Sequence, residues 1–456
     1  MDKIRKVLLV NPSRFLYKEI CVPPVVLGYL ASWIMQHNDV EVKISDEAIG
    51  HNAINDINSF KPDLVGLTAM TEFSLRAYEI ANEARKRKIL TVVGGKHATV
   101  LPEEVAEHVD IVVRSYGELA LSEIINGRRD RIIEGKRIED LDMIPPLPWD
   151  LLEMHKYLKS YENAHPFASV FWPSKLGFIM TSRGCPYKCI FCYNSSEDRK
   201  LQFMSPQRVI KDIIELKERY GIESLCFLDD NLFSHRKNLK ELCALMIENK
   251  LDLKWMCASS VNYVKEEYLE MVKEAGCVQM SFGFESGSER ILSLLKNNMF
   301  TIEDNLRAIR LCKKAGIKVA GSFIFGIPTE TESEIRQTID FIKQNSLDSV
   351  NIQHIKPYPG TELWNLCKEK NIIPENFSWD SYDTRSFSDI FSYKELSNFL
   401  VEAVNSSNQY TLRRAISRIK SQPQIVFRMF YDPRFTHIIK KIISNLLKSF
   451  KRVRAD

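Results

Sequence analysis

Thr181-Ser-Arg-Gly-Cys-Pro-Tyr-Lys-Cys-Ile-Phe-Cys-Tyr193 sets three cysteines, Cys185, Cys189 and Cys192, in a C-x3-C-x2-C spacing directly after a strand-like run at 178–181. Three thiolates on one loop can hold three irons of a cubane and leave the fourth open, and iron-sulfur clusters prefer Cys ligands. A zinc knuckle is the competing reading, but it needs a fourth Cys or His at ligand spacing. His165 and His235 are the nearest histidines in sequence, and neither meets that spacing. The other seven cysteines, Cys21, Cys226, Cys243, Cys257, Cys277, Cys312 and Cys367, sit singly among apolar neighbours. There a free thiol behaves as a small core hydrophobe.

Outward from this segment, runs at 224–228, 254–258, 278–284, 318–325 and 349–355 each precede a helical pattern, which predicts a parallel series of six β/α units. Strand count alone leaves a partial (β/α) barrel and a flat sheet both open. In either form the acting groups gather at strand carboxyl ends. Upstream, Ile144-Pro-Pro-Leu-Pro148 reads as a semi-rigid linker. Before it, strands at 6–10, 40–44, 63–68, 90–93 and 110–113 alternate with helices at 25–36, 53–60, 73–87, 102–107 and 119–125. That pattern predicts a doubly wound sheet with its ligand crevice beyond the strand ends, where Asn11, Thr68, Gly94, Gly95 and Gly117 fall. At 456 residues two or more domains are expected. We place them at 1–140 and 176–385, with a linker at 141–175 and a helical basic region at 386–456.

The cysteine segment, following the first strand of a β/α series, resembles the radical S-adenosylmethionine (SAM) superfamily. The resemblance implies a TIM-type partial (β/α)6 barrel and a four-iron four-sulfur (4Fe-4S) cluster held by Cys185, Cys189 and Cys192. It also implies that SAM chelates the open iron and is cleaved reductively to a 5′-deoxyadenosyl radical. By the same resemblance Phe191 packs near the adenine. Leu228-Asp-Asp-Asn231 ends the second strand, so Asp229 and Asp230 are candidates for the methionyl amine, or simply a helix N-cap region. Phe282-Gly-Phe-Glu-Ser-Gly-Ser288 is similar to the family's G-x-E-S-G segment, which implies a SAM contact from Glu285, and Phe325-Gly-Ile-Pro328 resembles its adenine-binding turn, so Gly326 is either that turn or an ordinary one. Related proteins often carry an Arg after the third strand. Here Cys257-Ala-Ser-Ser-Val261 offers only the hydroxyls of Ser259 or Ser260.

Residues 1–140 resemble the Rossmann-like cobalamin-binding domain fused ahead of many such enzymes. Pro23-Pro24, Leu27-Gly-Tyr-Leu-Ala31, Gly66-Leu-Thr68, Gly94-Gly-Lys-His97 and Gly117-Glu118 carry that resemblance. It implies cobalamin contacts from Thr68, Gly94, Gly95, His97, Gly117 and Glu118, with His97 either at the corrin or a solvated loop residue. None of the nine His has an Asp two places before it, so the D-x-H-x-x-G signature of His ligation is absent.

The resemblance, which runs to about residue 385, implies C-methylation of an unactivated carbon of a small-molecule or lipid substrate. Cyclisation, ring contraction or another rearrangement is the alternative, and a non-catalytic iron-sulfur or corrin sensor is a second class. It also implies a reductant such as flavodoxin or ferredoxin. Methylthiotransferases need three further N-terminal Cys, and only Cys21 precedes Cys185.

Apolar residues at 45% and charged residues at 27% fit a globular chain. No signal peptide or spanning stretch is read from the N-terminus, so a cytoplasmic address is expected. Residues 410–456 hold twelve Lys or Arg against two Asp or Glu, although the whole chain is only +4. Basic charge confined to a tail does not suggest a nucleic-acid surface. From Ile438 the residues Ile439, Ile442, Ile443, Leu446, Leu447 and Phe450 share one helical face, with Lys440, Lys441, Lys448, Lys451 and Arg452 largely opposite. Such a helix either docks on the protein or makes peripheral contact with the inner face of a membrane.

Overall fold

The computed structural model describes residues 3–13, 21–163, 175–195, 200–375 and 377–407. In its first half β1 (Lys6–Asn11), α1 (Val25–His37), β2 (Glu41–Asp46), α2 (Ala53–Phe60), β3 (Leu64–Thr68) and α3 (Ser74–Lys86) follow in order. Then come β4 (Leu90–Gly94), α4 (Lys96–Val100), α5 (Pro102–His108), β5 (Ile111–Ser115), α6 (Glu118–Ile125) and β6 (Ile132–Gly135). Side chains alternate across a strand, so Val7 and Leu9 of β1 pack with Leu27 of α1 and Leu121 of α6. Leu8 and Val10 pack on the other face, with Ile57 of α2, Ala81 of α3 and Val105 of α5. Helices on both faces explain why β1 reads as a continuous apolar run. The parallel order β2-β1-β3-β4-β5-β6 reverses once, between β1 and β3, and is the expected doubly wound sheet. β6 is an addition to the five expected strands: it is a four-residue edge strand among charged neighbours, too short to show a pattern.

The stretch expected as a linker is packed. Ser32 Oγ donates to the Pro146 carbonyl at 2.8 Å, and Tyr157 Oη donates to Asp46 at 2.6 Å. Leu147 and Leu152 close on Gly28, where an added Cβ would stand 2.7 Å from Leu147. The apolar residues among the prolines hold this segment to α1, so the first unit runs on past 140 to at least Tyr157, in α7 (Met154–Asn163).

The second half opens with β7 (Leu176–Ile179), β8 (Ser182–Arg183), β9 (Gln202–Phe203), α8 (Pro206–Tyr220), β10 (Ser224–Phe227), α9 (Arg236–Glu248) and β11 (Lys254–Ala258). It continues through α10 (Glu266–Glu274), β12 (Cys277–Glu285), α11 (Glu289–Leu295), α12 (Ile302–Lys314), β13 (Lys318–Phe325), α13 (Glu332–Asn345), β14 (Ser349–His354), α14 (Glu362–Glu369) and α15 (Tyr393–Ser406). Its parallel sheet runs β7-β10-β11-β12-β13-β14 without reversal. A monotonic order winds every crossover the same way and bends the sheet away from its helices, which is a partial barrel and not a flat doubly wound sheet. β7 and β14 remain its edges. The antiparallel pair β8-β9 closes the base of the loop that carries the three cysteines. The apolar tail from Ile438 lies outside the described residues. No helix of the described residues is long and apolar enough to cross a membrane.

Candidate functional site

The carboxyl ends of the two sheets face one cavity of about 380 Å³. Thr68, Gly94, Gly95, Gly117 and Glu118 come to it from the first unit, and Met180, Arg183, Cys185, Asn194, Leu228 and Asp230 from the second. Leu27, Leu30, Leu67, Val92 and Val113 make it largely apolar. Gly94 shows what that surface is shaped to leave open: a Cβ there would meet nothing closer than the Val113 carbonyl at 3.6 Å. Packing alone does not demand a glycine, and a side chain at this position would take up space in the cavity.

The cysteine loop is anchored at both ends of its tight turn. Cys192 N–H donates to the Cys189 carbonyl at 3.1 Å, Ile190 N–H to the Leu295 carbonyl at 3.0 Å, and Leu363 N–H to the Ile190 carbonyl at 3.0 Å. Burial pushes all three thiols up, Cys189 to about 11, and nearby carboxylates add to it, Asp230 at Cys185 and Cys192 and Glu285 at Cys189. A metal centre would have to draw the protons off, as thiolate ligation requires. Among the described residues no three His, Cys, Asp or Glu converge as a single-ion site would need. A cubane, which asks each thiolate to reach a different iron, suits this donor set better than zinc.

Asp229 and Asp230 separate. Asp229 is buried and accepts from Thr181 N–H at 3.1 Å, Thr181 Oγ1 at 2.7 Å and the Ser182 hydroxyl. Its carboxylate therefore ties the strand ends together and is not presented to the cavity. Asp230 lines the cavity and accepts from Asn194 Nδ2 at 2.8 Å. Ser260 N–H donates to Asn231 Oδ1 at 3.4 Å, and its hydroxyl accepts from Asn231 Nδ2 at 3.3 Å. Glu285 is 5% exposed and pairs with Lys296 at 2.8 Å. A register shift in the β12-β13 ladder precedes it, and its φ is +60°, a left-handed backbone rare for a side chain of this kind. Phe191 lies beneath Lys296, the ammonium 5.5 Å from the ring centroid.

His97 departs from both of its expected placements, whereas Gly326 sits in a turn, one of the two readings expected of it. Gly326 has φ +86°, and a Cβ on it would stand 2.5 Å from the Leu396 side chain of α15. Its N–H is taken by Glu330 Oε2 at 2.7 Å, so the turn reading of this glycine is the one that its surroundings require. His97 is neither solvated nor in the cavity wall. It is fully buried, with Nε2 3.0 Å from Tyr78 Oη and Nδ1 3.2 Å from Thr71 Oγ1, and its ring meets Trp379 edge-on at 5.3 Å. It sits one step along α4 from Lys96, and Lys96 is the one that lines the cavity, donating to Asn194 Oδ1 at 3.3 Å. Glu118 is in the wall but engaged, paired with Arg183 at 2.5 Å. Sequence reasoning missed Lys96, Arg183, Asn194 and Lys296. Arg183 and Asn194 stand within two residues of the cysteine triad, a signal that was available, whereas nothing local marks Lys296.

Family comparisons agree with this geometry. The radical SAM superfamily model matches residues 179–342 and the B12 binding domain model matches residues 19–125. An uncharacterised methyltransferase of Pyrococcus horikoshii is 31% identical over 98% of this chain and 99% of its own length. This chain belongs to the cobalamin-binding radical SAM enzymes. Membership brings a 4Fe-4S cluster, SAM and cobalamin as cofactors. The bacteriochlorophyllide d C-8(2)-methyltransferase of Chlorobaculum tepidum is 26% identical over 94% of this chain and 93% of its own. In fold, this radical SAM enzyme is similar to the methyltransferase TsrM of Kitasatospora setae, solved with tryptophan and a SAM analogue, at TM-score 0.65 and 19% identity over 80% and 76% of the two chains. The cobalamin-dependent radical enzyme OxsB aligns at TM-score 0.64 and 17% identity over 98% of this chain and 71% of its own.

Proposed function

We propose that this enzyme transfers a methyl group to an unactivated carbon of a small-molecule or lipid substrate, with cobalamin and SAM meeting in the cavity between its two units. The observation that carries the reading is that cavity, with Cys185 in one wall and Thr68, Gly94 and Gly95 in the other. The similarity to a named carbon methyltransferase supports it. When bound, the cofactors supply radical generation and a transferable methyl group, while the protein binds, orients and excludes water.

Cys185, Cys189 and Cys192 are assigned as the cluster ligands. Asp230, Asn194 and Ser260 are the polar groups assigned to SAM, with Phe191 beside its adenine. Thr68, Gly94, Gly95 and Gly117 are assigned to the corrin cradle, and Lys96 reaches from that cradle toward the cysteine loop. The apolar lining from Leu27 to Val113 keeps water from a reactive carbon. A low-potential one-electron donor of the flavodoxin or ferredoxin class is the proposed reductant. The basic tail from Ile438 is proposed to rest on an anionic membrane surface. Truncation after Pro433 is then expected to weaken co-sedimentation with anionic liposomes at low salt, and equal sedimentation would overturn the contact.

The reaction is tested by anaerobic incubation with methyl-labelled SAM, a reductant and candidate cell extracts, followed by mass spectrometry. A labelled product together with 5′-deoxyadenosine supports methylation. Deoxyadenosine without label transfer would support a rearrangement instead, and neither product would favour a sensor.

A further inference from the structure

We propose that Lys296 is a positioning residue for the cysteine loop, a desolvated cation that holds the loop and raises the reduction potential of the cluster it carries. The proposal rests on the reading of Cys185, Cys189 and Cys192 as cluster ligands. Lys296 caps the carboxyl end of α11, and the residue before it, Leu295, accepts the Ile190 N–H from the middle of the loop. Its ammonium lies 2.8 Å from Glu285 Oε1, 5.5 Å from the Phe191 ring centroid and 5.7 Å from that of Phe300. Phe191 immediately precedes Cys192. The two charged side chains are only 12% and 7% exposed. Backbone, ring and charge thus pin one lysine against one loop.

The positive end of the Glu285–Lys296 pair lies over the ring of Phe191, the residue next to Cys192. With Leu295 bonded to Ile190 N–H, the cation is fixed against the segment between Cys189 and Cys192 and acts on the charge that segment carries. Out of water such an interaction is weakly screened. A cluster held by three thiolates gains negative charge when it accepts an electron from its donor. A fixed cation beside it favours the reduced form and lifts the potential, since charge and solvent exposure set the potentials of such clusters. Glu285, held in place through its left-handed backbone, supplies the counter-charge without which a buried lysine would be costly.

The test compares the full-length reconstituted chain with Lys296→Met, Lys296→Arg and Glu285→Gln, without SAM. Iron and sulfide content is measured first, and then the midpoint potential by dithionite titration followed by electron paramagnetic resonance. Lys296→Met is expected to keep the cluster and cut the reduced-to-oxidised ratio about tenfold at a fixed poise, a fall of about 59 mV for one electron. Lys296→Arg is expected to stay near wild type, and Glu285→Gln to titrate higher. A fully loaded Lys296→Met with the wild-type potential would overturn the proposal and leave the cysteine assignment standing. A wild-type chain that assembles no cluster would overturn the assignment itself. If Lys296→Met does not fold, Glu285→Gln and Glu285→Gln/Lys296→Met give the same comparison, and the double variant must titrate below the single one.

Discussion

Asp229 and Asp230 are adjacent in the chain and opposite in use. Burial pushes Asp229 up to about 6 against the pull of its three donors, and those donors would lose their acceptor in Asp229→Ala. Leaving buried donors unsatisfied costs about 1–3 kcal/mol, so Asp229→Ala should lower the urea midpoint of the cofactor-free chain. Asp230→Ala removes the acceptor of Asn194 Nδ2, in the cavity wall. It should leave the midpoint within about 0.5 kcal/mol of wild type, as such substitutions usually do, and weaken SAM binding in a calorimetric titration. The same stability loss in both variants would contradict this division of labour. The three cysteines belong at this scale as well. Each alanine variant should lose most of its reconstituted iron, because no fourth thiol on the loop can substitute. A variant with full iron and undiminished deoxyadenosine formation would remove that residue from the ligand set.

At the scale of elements, the turn from β13 into α13 depends on one buried carboxyl. Glu330 accepts from the Gly326 and Ile327 amides through Oε2, whereas Oε1 has no partner among the described residues. Burial pushes Glu330 up to about 8. A folded pKa above the unfolded value means that the native state binds the extra proton between about pH 4.5 and 8. Stability from this group is therefore greatest below that window and is lost as pH rises through it. Glu330→Gln keeps an acceptor but does not titrate. Wild type should lose stability relative to it between pH 5.5 and 8.5, by about 1–3 kcal/mol, measured as the difference in urea midpoints. A difference that stays constant with pH would show that Glu330 is charged throughout.

The elements themselves were mostly legible in the sequence, because parallel strands buried on both faces leave apolar runs that no loop imitates. The edge strand β6 and the packed segment around Trp149 were not, since one is too short for a period and the other is held by tertiary contacts that local pattern does not encode. In the site the cysteines and cavity glycines could be read from spacing and strand ends. His97 and Lys296 could not, because which way a side chain turns on a short helix, or which distant residue meets Glu285, depends on packing.

Across the whole molecule the two sheets are clasped around the cavity. Tyr29 Oη of α1 donates to the Met180 carbonyl at 3.3 Å, Tyr358 Oη to Glu72 at 2.5 Å, and Trp379 Nε1 to Glu104 at 2.8 Å. Between them Glu118, at the start of α6, meets Arg183 of β8, with side-chain exposures of only 4% and 16%. Arg183 also lies 6.0 Å from the Tyr29 ring centroid. Because Arg183 stands two residues before Cys185, this pair links the wall of the proposed corrin cradle to the cysteine loop. Removing one partner from a buried pair strands the other charge, at a cost of about 3–5 kcal/mol, whereas replacing both with neutral groups of similar volume is far milder. Glu118→Gln and Arg183→Met should each lower the urea midpoint strongly, and Glu118→Gln/Arg183→Met by much less than their sum, a coupling that a double-mutant cycle reads directly. Cobalamin retained through gel filtration should follow the same order, with the single variants losing more than the double, because an unpaired charge in the wall disturbs the cavity more than a neutral pair does. Additive stability losses, or equal retention in all four proteins, would show that the two units are aligned by the other clasps and that this ion pair is incidental to the site.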